Sequence, residues 1–91
     1  MSQENVSVRK PSDEEIKAYQ TWPIWQKEQS TFDWFYDEKE TCYIIEGSAQ
    51  IYDESGELLV QFKKGDLVEF PKGLKCTWKI TEDVKKHYNF G

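Results

Sequence analysis

From Trp25 to the end of the chain, apolar and polar residues alternate with a period of two, in short runs rich in β-branched and aromatic side chains. The pattern predicts strands over Trp25–Gln29, Ser30–Tyr36, Glu40–Glu46, Ser48–Tyr52, Leu58–Phe62, Asp66–Phe70, Lys75–Ile80 and Val84–Phe90. Turn chemistry separates them. Asp53-Glu54-Ser55-Gly56 has the Asp-first, Gly-last order of a type I hairpin turn with a left-handed glycine. Lys63-Lys64-Gly65-Asp66 and Pro71-Lys72-Gly73 repeat the signal, and Thr81-Glu82-Asp83 reads as the last turn. Strands this short, spaced this evenly, predict an all-β sandwich or barrel.

Upstream the pattern is different. Residues 1–10 carry few apolar side chains and read as an extended or partly ordered lead-in to a single domain over residues 11–91. Ser12 followed by Glu15 is a capping box, and Asp13 and Glu14 suit the positive end of a helix dipole. A short helix is therefore predicted from Asp13 to Gln20, with Ile16 and Tyr19 on its buried face and Pro23 as its stop. No linker, repeat or low-complexity segment follows.

Ninety-one residues exclude a two-domain enzyme, a coiled coil and a repeat array. A chain of this size buries roughly 60–65% of its unfolded surface, so large aromatics are an efficient core filling. Aromatic residues make up 15% of it. Twelve basic residues against 17 acidic ones leave a net charge of −5, the wrong sign for nucleic acid or an anionic membrane. The pairs Lys63-Lys64 and Lys85-Lys86 are too short to form a basic patch and read as solubilising charges at strand ends. No apolar run approaches a membrane span. Two widely spaced cysteines, Cys42 and Cys76, with no secretory signal, lead us to expect reduced thiols and a cytoplasmic or other reducing intracellular compartment.

Two stretches carry more than composition. Glu40 and Gly47 enclose Thr41-Cys42-Tyr43-Ile44-Ile45-Glu46, and Gly65 is followed, after five residues, by Pro71-Lys72-Gly73. Gly47 and Gly65 suit sharp turns, where positive φ is needed, and Pro71 suits a barrel rim. In these spacings the chain resembles the cupin superfamily (RmlC-like), whose first motif ends in Glu, six residues, Gly and whose second runs Gly, five residues, Pro-X-Gly. The resemblance implies a single-domain cupin jelly roll or β-barrel with a short N-terminal helix. Trp22-Pro23-Ile24-Trp25, Phe32-Asp33-Trp34-Phe35-Tyr36, Cys76-Thr77-Trp78 and Lys85-Lys86-His87-Tyr88 further resemble small single-domain cupins grouped with ureidoglycine aminohydrolase, many of unknown function.

The departures from that family are chemical. Metal-bearing cupins ligate through a His-X-His pair, the Glu and a later His. At the matching positions this chain has Trp34, Tyr36, Glu40 and Cys76, with Ile80 at the position of the motif's Asn. Trp cannot ligate, and a Tyr–Glu–Cys set mixes hard oxygen with soft thiolate. The expectation is therefore no cofactor, the remaining metal option being zinc on Glu40 and Cys76. His87 falls outside both motifs and reads as a surface or strand-end histidine. Cys42 shares a strand face with Glu40, and both thiols are expected to face the interior as inert packing.

Glu40 is the candidate catalytic residue. In an aromatic cavity its carboxyl would lose hydration and be pushed up, toward general acid–base use, or else it pairs with a lysine such as Lys75 at the rim. Trp34, Tyr36, Cys42, Tyr43, Phe70, Cys76 and Trp78 are the candidate lining of a ligand pocket. Three roles remain open: a module binding an unidentified small molecule, a small-metabolite hydrolase or isomerase, and a structural homodimer with Trp22 or Trp25 as interface anchors.

Overall fold

Helix α1 (Asp13–Tyr19) forms where the capping box predicts it. The Ser12 hydroxyl accepts from Glu15 N–H at 3.2 Å, and the Glu15 carboxylate accepts from Ser12 N–H at 2.9 Å. Glu15 also takes a two-pronged hydrogen bond from Arg9. Tyr19 is the buried residue of the helix. The computed structural model describes residues 6–91, so the lead-in expected over residues 1–10 is seen only from Val6; Ser7–Arg9 is a strand, β1.

Around the helix lie six further strands: β2 (Ile24–Lys27), β3 (Ser30–Phe35), β4 (Glu40–Tyr52), β5 (Leu58–Lys63), β6 (Leu67–Phe70) and β7 (Lys75–Phe90). All pairings are antiparallel. The predicted turns at Asp53–Gly56, Lys63–Asp66 and Pro71–Gly73 are present, with glycines at positive φ. The expectation fails at two places. Glu40–Glu46 and Ser48–Tyr52 are one strand, and so are Lys75–Ile80 and Val84–Phe90.

Both long strands bend rather than turn, and they bend against each other. Pairing between β4 and β7 loses register between Ile44 and Ala49, while Gly47 sits at φ +90°. A Cβ on Gly47 would strike Asp83 O and lie 2.7 Å from Glu82 O. The missing side chain therefore lets the two backbones cross at the bend. Gly47 is a bulge residue, not a hairpin residue.

The bend divides the sheet into two faces of a barrel. The first half of β4 pairs with β6 and with the end of β7, which also holds β2. The second half of β4 pairs with β5 and with the start of β7, which also holds β3. Inward side chains of both halves meet in one core, including Cys42, Ile44, Ile51, Phe62, Val68, Phe70 and Trp78. Trp78 is its hub: Phe32 stacks on it at 5.9 Å, and Trp25, Phe62 and Phe70 lie within 6.0 Å. The fold is all-β with one short helix.

Candidate functional site

The side chains of β2, β3 and β7 that face the same interior leave a cavity of about 160 Å³. Trp25, Phe32 and Trp78 form its aromatic walls, and Trp34, Tyr88 and Phe90 surround its mouth side. Trp34 and Phe90 are about half exposed, whereas Glu40 and Lys86 on the opposite wall are buried, so the cavity opens outward from a charged base.

That base is an ion pair. Lys86 Nζ donates to Glu40 Oε2 at 2.9 Å, with side-chain exposures of 5% and 4%. The ammonium also lies 4.7 Å from the Trp25 ring centroid and 4.6 Å from that of Trp78. Two indole faces and a carboxylate thus compensate one buried cation, the arrangement such a charge requires away from water. Strand alternation explains the placement. Val84, Lys86 and Tyr88 project to one side of β7 while His87 projects to the other.

The sequence-predicted site residues divide accordingly. Glu40, Trp34, Tyr36 and Trp78 meet at the cavity. Tyr36 lies deep, accepting a hydrogen bond from Trp78 Nε1–H at 3.3 Å and stacking on Phe70 at 4.7 Å. Phe70 is the layer beneath, fully buried, and does not reach the cavity surface. Cys42 and Cys76 are likewise enclosed in the core, as expected of inward-facing thiols, Cys76 on the same face of β7 as Trp78, and neither lines the cavity. Tyr43 is on the wrong face of β4 to line the cavity and packs on Tyr19 of the helix at 5.7 Å. Alternation from Glu40 already excludes it.

Three other expectations change. His87 is not a surface residue: it is buried, and its Nδ1–H donates to the Trp22 carbonyl at 3.0 Å. Lys75 reaches Glu54 at 4.0 Å instead of Glu40, whose partner is Lys86, in the interior and not at the rim. Trp22 and Trp25, expected as interface anchors, are half-buried rather than fully exposed, Trp22 packing on Tyr19 at 4.6 Å and Trp25 forming a cavity wall. Lys86 itself carried no recognisable signal beyond its alternation with Val84 and Tyr88; beside Lys85 it reads as surface charge.

The donor set does not fit the metal that the cupin resemblance implies. Lys86 already donates to Glu40 Oε2, so a cation brought to this carboxylate would meet a like charge beside it. Burial, then the nearby Glu40 charge, holds the Tyr36 phenol well above its ordinary range. Burial likewise pushes both thiols up to about 12, with Lys86 opposing at each and Glu40 adding to the rise. Neutral phenol and thiol are poor ligands. Among the described residues no group of three His, Cys, Asp or Glu side chains is placed to hold a metal ion.

Comparison with known proteins places this geometry. A family model described as the EutQ-like cupin domain matches residues 15–88. A crystal structure of a DUF861 family protein from Thermotoga maritima is 50% identical, covering 96% of this chain and 100% of that one, with a TM-score of 0.90. The Clostridium difficile EutQ protein shares the fold at 22% identity, covering 97% of this chain and 68% of its own, with a TM-score of 0.68. A putative ethanolamine utilization protein Q from Salmonella typhimurium does so at 22% identity, covering 93% and 68%, with a TM-score of 0.66. No curated protein matches. None of the helices among the described residues is long and apolar enough to cross a membrane. The chain belongs to the EutQ-like cupin family.

Proposed function

We propose that this protein binds a small organic molecule in the cavity between β2, β3 and β7, with the Glu40–Lys86 pair as its polar anchor. One observation carries the reading: a desolvated, hydrogen-bonded ion pair forms the base of a cavity whose other walls are aromatic and whose mouth is open. Concave, mainly apolar sites with a few convergent polar groups are the usual form of small-molecule pockets. In this reading Trp25, Phe32 and Trp78 supply contact area, and Glu40 and Lys86 supply orientation. The reading uses no metal: a cation at Glu40 would meet the Lys86 ammonium, which already holds that carboxylate.

A nuclear magnetic resonance screen of single-ring aromatic fragments tests this. Binding should shift the indole N–H signals of Trp25 and Trp78, and Trp25→Ala should remove the response. Fragments that shift only surface residues would refute the reading.

A specific observation also favours self-association. Trp34 and Phe35 are about half exposed and adjacent on β3, which among the described residues pairs with β7 alone. A two-fold copy contacting this edge would cover them. Elution as a dimer at micromolar concentration, converted to monomer by Phe35→Lys, is the expected result.

A further inference from the structure

The chemistry of the cavity specifies a ligand class, an inference that rests on the binding reading above. Size comes first. The cavity holds about 160 Å³, and an apolar cavity of roughly 150 Å³ accommodates benzene. One six-membered ring therefore fills it. Its walls are the faces and edges of Trp25, Phe32 and Trp78, which favour a flat, conjugated ring.

Charge comes second. Glu40 and Lys86 already neutralise each other at 2.9 Å. An anionic ligand would draw on Lys86 and leave Glu40 facing a like charge; a cationic one would crowd the ammonium. Either leaves an uncompensated charge in a nearly dry site, which disfavours binding. The net charge of −5 further opposes anions. The ligand that fits is neutral.

Hydrogen bonding comes third. The ammonium has three protons, of which one goes to Glu40 Oε2; the indole faces hold the cation without a directed hydrogen bond. The Tyr36 hydroxyl also faces this carboxylate, which with about four lone-pair sites keeps acceptor capacity beyond Lys86 and Tyr36. The cavity base thus presents a donor immediately beside an acceptor. A ligand edge that answers both has an acceptor beside a donor, as in a ring amide. We infer that the cavity takes a neutral, single-ring cyclic amide, with its C=O accepting from Lys86 Nζ and its N–H donating to Glu40.

The test titrates the intact protein with four probes, read by tryptophan fluorescence and amide chemical shifts. They are 2-pyridone, its N-methyl derivative, benzoate and benzylammonium. We expect 2-pyridone to bind tightest and N-methylation to weaken it by at least about tenfold, because a site built to hydrogen-bond an N–H rejects the analogue lacking it. In the double variant Glu40→Leu with Lys86→Met, which leaves no unpaired charge, that discrimination should fall to less than about twofold. Equal binding of 2-pyridone and its N-methyl derivative, or tighter binding of either ion, overturns the ligand class and leaves the binding reading intact. Failure of all four to shift Trp25 or Trp78 overturns both.

Discussion

Lys86 and Glu40 stand 46 residues apart in sequence and 2.9 Å apart in the barrel, both buried, with two tryptophan rings flanking the ammonium. Neither charge is tolerable there alone. Removing one partner leaves the other desolvated and unpaired, whereas removing both leaves only a packing change. Glu40→Leu and Lys86→Met should each lower stability by about 3–5 kcal/mol. The double variant should lie within about 1 kcal/mol of the parent. Urea denaturation of the three variants measures this, and additive losses would show that the two side chains do not act as a pair.

Tyr36 and Trp78 are coupled in the same region. The Tyr36 hydroxyl is the acceptor for Trp78 Nε1–H at 3.3 Å, and both side chains are about 1% exposed. Tyr36→Phe keeps the ring stack on Phe70 but leaves a buried donor unsatisfied, a loss of about 1–3 kcal/mol. The indole N–H resonance of Trp78 should shift at the same time. An unchanged resonance together with unchanged stability would mean that the bond contributes nothing.

The two thiols set an alkaline limit. An unfolded cysteine loses its proton near 8.5. In the fold, burial first and Glu40 next hold Cys42 and Cys76 protonated up to about 12. Between those values the unfolded state binds fewer protons than the native one, so stability is complete below about pH 8.5 and declines as pH rises toward 12. Melting temperature followed from pH 7 to 11 should fall less steeply for Cys42→Ala than for the parent, and a parallel pair of curves would contradict this. Native protein at pH 8 should also resist thiol reagents that modify it once unfolded.

Much of this architecture is legible in sequence because its causes are local. Ser12 and Glu15 cap a helix within one turn of chain, and Asp53 builds its own turn by accepting from Ser55 and Glu57 N–H. Period-two alternation similarly identifies Glu40, Cys42 and Ile44 as one face. What sequence misses is long-range. Lys86 looks like surface charge beside Lys85 because its partner is on another strand. Thr81-Glu82-Asp83 resembles a turn, yet β7 continues through it, since the bend is imposed by β4 across the pairing. The aromatic walls show the same limit: Trp25 and Phe32 lie beyond the motif positions, and their role appears only once β2 and β3 dock on β7.

Gly47 offers the sharpest test of that bend. Gly47 and Gly73 share nearly the same backbone angle, φ +90° and +91°, so the conformational cost of a side chain is similar at both. That cost is about 1–2 kcal/mol. Their surroundings differ. A Cβ on Gly73 meets nothing within 4 Å, whereas on Gly47 it meets the backbone of Glu82 and Asp83, which cannot rotate away as a side chain would. The β4–β7 crossing must then open, and the Lys86–Glu40 pair hangs on that crossing because Lys86 follows the bend in β7 and Glu40 precedes it in β4. Gly73→Ala should therefore lose only the backbone cost. Gly47→Ala should lose about 2 kcal/mol more and also broaden the Trp25 and Trp78 indole signals that report the cavity. Equal losses for the two alanine variants would mean that Gly47 is retained only for its dihedral angle, and that the bend tolerates a wider crossing.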